Sequence, residues 1–238
     1  MNEKLDLDII CYEHGSKGAV IIYISSKEFH ENTEKIFSEI IAKTDKDFIL
    51  LELLVNDWDR FLTPWQVSEC LKDRNFSGDG GLLLKKIRDE IIAVIDDKYP
   101  SHKDIYIAGY SLAGLFSLWA YYEEGRFAGA MSASGSLWYP GWDKYIEEKK
   151  IKEACECGGN VRKSAKRKAK IYLSLGNKEN KSKNQYMSQV LKKTDLQQQL
   201  LREDDNVESV TFVTEEGGHF TNVWDRIVRG MVWLLGQS

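Results

Sequence analysis

The sequence predicts an α/β fold, a mostly parallel central sheet with helices on both faces, built as one domain of 238 residues. Three observations carry this. Short apolar, β-branched runs alternate with stripes at helical spacing, the pattern of strand–helix–strand crossovers. The run FILLELLV at 48–55 is almost continuously apolar, as expected of a strand covered on both faces. The stretch IYIAGYSLAGLFSLW at 105–119 begins as a strand and ends as a helix, with Ser111 at the change.

Taken in order, Leu5 to Tyr12 is a candidate opening strand, turned by Gly15 to Gly18 into the β-branched run Ala19 to Ile24. After the loop SSKEF, a helical stripe of Thr33, Ile36, Phe37, Ile40 and Ile41 leads into FILLELLV. The segment NDWDRFLTPWQ then mixes Trp58, Phe61 and Trp65 with Arg60 and two aspartates, beyond the end of a strand where open α/β sheets bind ligands. Gly78, Gly80 and Gly81 lie in a turn-rich patch, and GDGG lacks the lysine and spacing of a phosphate cradle. Leu84, Ile87, Ile91 and Ile95 mark a long amphipathic helix stopped by Pro100. Past the stretch at 105–119, Phe127 to Ser132 is a short strand running into ASGSLWYPGW, which gathers Trp138 and Trp142 beyond another strand end. A charged insertion follows at about 143–170, with a CxC pair and the basic run RKSAKRKAK, expected as a solvated face. IYLSL resumes the sheet, Met187 to Leu201 line a helix, Val207 to Thr214 form the last strand, and EEGGHF leads to a final helix carrying Trp224, Ile227, Val228 and Met231.

Composition narrows the classes of function. A formal charge of −4 argues against a general nucleic-acid binder. The eighteen uncharged residues from Ile105 to Tyr122 are poor as a membrane span, because their first third is strand-like and glycine interrupts them. The N-terminal residues lack a signal-peptide pattern, and the four cysteines are mostly far apart, which suits reduced thiols. The expected location is the cytoplasm, with no membrane and no nucleic acid as partner. The CxC has no nearby histidine, so neither metal nor cofactor is expected.

The chemistry centres on Ser111. A strand-to-helix turn that pushes a serine oxygen out above a sheet needs small neighbours, and Gly109, Ala113 and Gly114 supply them. A serine hydroxyl is a weak nucleophile at neutral pH and needs a base and a group to orient that base. Of four histidines, His219 follows the last strand and a glycine pair, so a loop can carry it to the sheet edge of Ser111. Glu179, three residues past Gly176 in GNKE, supplies an acid in the chain order Ser, acid, His; Asn177 has no carboxylate. The oxyanion hole would use the Leu112 N–H, with a second donor near Ser26 or Lys27. Trp58, Arg60, Phe61, Trp65, Trp138 and Trp142 are the candidate substrate-binding residues, shaping a pocket for an aryl or short acyl group.

Together, DWDRFLTPW, IAGYSLAGLFSLWA, SASGSLW, YLSLGNKE and GGHF resemble the esterase branch of the α/β-hydrolase superfamily that includes the enterochelin (siderophore) esterases. The resemblance runs from Ala19 to Leu235. It implies an α/β-hydrolase fold and a serine hydrolase working through an acyl-enzyme, with Ser111 as nucleophile, His219 as base and Glu179 as acid. Ala113 replaces the second glycine of the elbow, and no glycine-rich oxyanion loop is present. The expected partner is a small-molecule ester, a siderophore or another aryl or acyl ester; the oligomeric state is open. Two rivals are acyl transfer by the same triad and a non-catalytic binding protein on the same fold.

Overall fold

The structure, a computed structural model, describes residues 5, 7–68, 70–72, 74–156 and 168–236, without the side chains of 152–156. Among these residues the strands are β1 (Asp8–His14), β2 (Ala19–Ser25), β3 (Phe48–Leu54), β4 (Ile105–Tyr110), β5 (Phe127–Ala133), β6 (Ala169–Gly176) and β7 (Val207–Glu215). They form one sheet in the order β1-β3-β2-β4-β5-β6-β7. Every neighbouring pair is parallel except β1 with β3. The mostly parallel α/β sheet expected from the alternating pattern is therefore observed, and it agrees with the α/β-hydrolase fold that the resemblance implies. β1 begins and ends later than the run Leu5 to Tyr12 suggested, because its register is set by pairing Asp8 with Leu54 and His14 with Phe48.

The strand period distributes apolar side chains to two cores. From β2, Val20, Ile22 and Ile24 enter one core with α4 (Gly80–Lys86), α5 (Ile92–Lys98) and α6 (Leu112–Glu123). Ile21 and Tyr23 enter the other, with α2 (Thr33–Ile41) and α9 (Val223–Leu234). The long amphipathic helix starts earlier than its apolar stripe, inside the glycine patch at Gly80, and carries a π-helical turn at Ile87–Ile91 that keeps Ile87, Ile91, Ile92 and Ile95 buried. All seven residues of β3 are buried, including Glu52, whose carboxylate bonds His30 Nδ1 at 2.7 Å and Thr33 Oγ1 at 2.6 Å. These partners are what a buried carboxylate requires.

The charged insertion opens as α7 (Trp142–Glu156), followed in the chain by α8 (Val190–Arg202). Cys157 and most of the basic run lie outside the described residues; Cys11 and Cys70 are free thiols. No described helix is long and apolar enough to cross a membrane. Because β2, β4, β5, β6 and β7 are parallel, their carboxyl ends open on one edge, and each is followed there by a loop that reaches the cavity.

Candidate active site

Ser111 leaves β4 directly into α6 with φ 58° and ψ −121°, a conformation that costs a non-glycine residue on the order of 1–3 kcal/mol. The turn is held from both sides: Ser111 N–H donates to Ala133 O at 3.0 Å, and Ser136 N–H donates to Ser111 O at 2.9 Å. A Cβ on Gly109 would lie 2.4 Å from the carbonyl of Ala113, and one on Gly114 would lie 2.9 Å from Ser132 Oγ. Gly109 therefore makes the room in which the methyl of Ala113 replaces a glycine. The Ser111 hydroxyl does not cap α6, which leaves it for other partners. Leu112 N–H opens α6 and has no intrahelical acceptor.

His219 arrives on the loop after β7, its path set by Gly217 at φ 101°. Its Nε2 lies 3.0 Å from Ser111 Oγ and its Nδ1 2.8 Å from Glu179 Oε2. With Nδ1 donating to the carboxylate, Nε2 accepts from the serine hydroxyl. The Tyr110 ring packs beneath the imidazole, with centroids 5.2 Å apart. Burial pushes the Tyr110 phenol up to about 12, so it stays neutral.

Glu179 follows β6, and its side chain is only 5% exposed, so it is not a solvated surface acid. Oε1 accepts from Gly176 N–H at 2.7 Å, Ser134 Oγ at 2.9 Å and Arg226 Nη1 at 3.0 Å, leaving Oε2 for His219. Burial works against the charge of this carboxyl. The hydrogen bond and charge of His219, the Gly176 amide and the Ser134 hydroxyl outweigh it and hold the group below its ordinary range.

The model of the Esterase family, described as "Putative esterase", matches residues 11–231. The chain belongs to this esterase family. A curated relative of this esterase, the uncharacterized protein YbbA of Bacillus subtilis strain 168, is 24% identical over 235 residues, covering 95% of this chain and 88% of its own. Solved structures that share the fold include the following two. The siderophore hydrolase EstA from Aspergillus nidulans matches with a TM-score of 0.73 at 14% identity, over 96% of this chain and 89% of its own. An IroE-like serine hydrolase from Shewanella oneidensis matches with a TM-score of 0.72 at 14% identity, over 95% and 75%.

In this esterase the Ser111, His219 and Glu179 side chains open on a cavity of about 780 Å³. Ser26, Leu112, Trp58 and Trp138 also line it. Four sequence candidates do not. Trp142 is fully buried, packed on Tyr122 and Tyr145. Trp65 turns away, its Nε1 donating to Pro140 O at 2.9 Å and its ring against Tyr139 and Tyr145. Arg60, in α3 (Trp58–Phe61), is drawn to Asp79 at 2.7 Å, with its guanidinium over the Phe61 ring, 4.8 Å from the centroid, and neither lines the cavity. Trp58, Arg60 and Phe61 share a single helical turn, and a linear segment could not say which side of it meets the cavity.

Residues absent from the sequence reading of the site are Phe29, Arg226 and the exposed Phe220, whose ring stands edge-on to His219 at 4.9 Å. Phe220 was visible in GGHF as the residue beside His219. Arg226 adjoins the apolar stripe of α9, and nothing in that spacing marks it as buried. Among the described residues, no group of three His, Cys, Asp or Glu side chains could hold a metal ion.

Proposed function

We propose that this member of the esterase family is a serine hydrolase that cleaves carboxylic esters through an acyl-enzyme. The observation that carries the reading is the unbroken relay from Ser111 Oγ through His219 to Glu179, at 3.0 and 2.8 Å. Ser111 Oγ attacks the ester carbonyl while His219 Nε2 takes its proton. The tetrahedral oxyanion is held by Leu112 N–H and by a backbone donor at Ser26 or Lys27, which open α1 (Lys27–His30) and also line the cavity. His219 returns the proton to the departing alcohol. Water, deprotonated by the same imidazole, then attacks the acyl-enzyme and releases the acid and the free serine. Glu179 keeps the imidazole in the required tautomer.

Trp58 and Trp138, with Leu112, give the cavity an apolar wall suited to an aryl or short acyl group. The siderophore hydrolases among the similar structures make a siderophore ester one member of that class. The partner is thus a small-molecule ester, and the reaction is assigned to the cytoplasm on the scattered cysteines.

Covalent labelling with a fluorophosphonate, followed by intact mass and peptide mapping, tests the reading. One label per chain on Ser111, abolished by Ser111→Ala and by His219→Ala, is the expected result. Folded wild-type protein that stays unlabelled, or carries the label elsewhere, refutes it in favour of a binding protein.

A further inference from the structure

Arg226 is a charged side chain with no exposed surface, placed near the start of α9. One face of its guanidinium serves the acid: Nη1 donates to Glu179 Oε1 at 3.0 Å and to Ser134 Oγ at 2.6 Å. The other serves the base loop, with Nη2 donating to Gly218 O at 3.1 Å and, at a longer 3.4 Å, to Glu216 O. Gly218 is the residue immediately before His219. Room for the fork comes from Gly176, where a Cβ would lie 3.0 Å from Nη2 and 2.5 Å from Gly217 O. Ser134 joins the same knot with φ 45°, donating to Glu179 the bond that Arg226 donates to it.

A buried ion pair is weak evidence for stability, because apolar residues of similar volume often serve as well. What an apolar residue cannot do is bond a carboxylate and two backbone carbonyls at once. The planar guanidinium presents five donors in a fixed geometry, whereas an ammonium is a compact point charge on a flexible stem.

We propose that Arg226 is a positioning residue for ester cleavage, a two-ended clamp that sets the Glu179 loop and the His219 loop in register so that Oε2 meets Nδ1. The proposal rests on the triad reading above. Arg226 touches no reacting atom and acts through Glu179 and the backbone before His219. It also fixes a positive charge beside the acid–base pair. The ionisable and charged groups beside that pair or on the cavity it opens into are Tyr110 from β4, Glu179, Lys178 and Lys181 after β6, Arg226 from α9, Lys27 and Glu28 after β2, and Arg74.

The test is the pseudo-first-order rate of fluorophosphonate labelling, measured across pH on the full chain and on Arg226→Gln and Arg226→Lys. Thermal melts establish folding, and Ser111→Ala serves as the control. Arg226→Gln should label about 10²-fold more slowly, the cost of misplacing a catalytic group by about 1 Å. Its acid limb should move up, since removing a buried cation 3.0 Å from the Glu179 carboxylate makes a proton on the pair less unfavourable. Arg226→Lys keeps the charge and loses the fork, so its limb should stay while its rate falls about tenfold or more. A merely structural arginine would lower the melting temperature and leave both rate and limb at wild-type values in folded protein, which overturns the proposal. If Arg226→Gln does not fold, a wild-type labelling rate in Arg226→Lys overturns it equally. Persistent labelling of Ser111→Ala would instead break the triad reading, so the two failures are distinguishable.

Discussion

Replacing Glu179 by glutamine is a sharp perturbation because the surroundings dictate how the amide must sit. Three donors converge on the Oε1 position, from Gly176, Ser134 and Arg226. The glutamine carbonyl oxygen has to occupy that position, since an NH₂ group there would face donors on every side. The NH₂ is therefore forced to the Oε2 position, 2.8 Å from His219 Nδ1. A donor facing Nδ1 selects the tautomer with the proton on Nε2, which then presents N–H to Ser111 and cannot accept its proton. Such a tautomer error costs about 10⁴ in turnover in a serine protease. We expect a loss of about 10³–10⁴ in kcat on a p-nitrophenyl ester at pH 7, with KM changed by less than about threefold.

The substitution also leaves Arg226 buried without its carboxylate. Breaking a buried pair costs about 3–5 kcal/mol, and retention of the carbonyl acceptor puts Glu179→Gln at the lower end. At about 2–4 °C per kcal/mol for a chain of this size, about 3 kcal/mol lowers Tm by about 6–12 °C. Kinetics at 20 °C on protein verified as folded separates chemistry from unfolding. A folded Glu179→Gln enzyme turning over within tenfold of wild type would refute the orientation argument and the role of Glu179.

Because folding lowers the Glu179 pKa from its ordinary 4.5, its contribution to stability is complete above that value and is lost as pH falls through the lower folded value. The gap in Tm between wild type and Glu179→Gln should therefore narrow as pH is taken down from 4.5, and a constant gap would contradict it. Gly109→Ala puts a methyl 2.4 Å from the Ala113 carbonyl, so the elbow must deform; about 1–3 kcal/mol of stability should go, together with most fluorophosphonate labelling. Trp142→Ala should cost about 3–5 kcal/mol in denaturant unfolding with KM unchanged in folded protein. Phe220→Ala, at a side chain 81% exposed, should alter stability by no more than about 0.5 kcal/mol while raising KM for aryl esters.

The sheet was legible because burial on one or both faces imposes a period on each strand. FILLELLV is β3 almost residue for residue; the strand read at Ile105 to Ala108 runs on to Tyr110 as β4, and β6 opens before IYLSL, at Ala169, a buried residue of the basic run expected as a solvated face. Ser111 was legible for a local reason as well: the turn it occupies admits only small residues at 109, 113 and 114, and their absence of bulk is written in the chain. His219 followed from chain order and a glycine pair. Glu179 was visible as a residue type, and its burial was not. Aromatic candidates divided unevenly, since a tryptophan in a loop satisfies a pocket wall and a packed core equally well in composition. Trp58 and Trp138 line the cavity, while Trp65 and Trp142 fill the space behind it.

The sequence by itself determined the strand–helix alternation and the elbow, because each depends on residues adjacent in the chain or one helical turn apart, and it carried the chain order of Ser111, Glu179 and His219 without their contact. Tertiary structure alone decided the rest. Ser134, Glu179, Gly218 and Arg226 come from four separate segments, and the hydrogen bonds that join them exist only once the parallel strands bring their carboxyl ends to one edge. A linear chain records which groups can donate and accept; which of them meet without water is a property of the packed sheet edge.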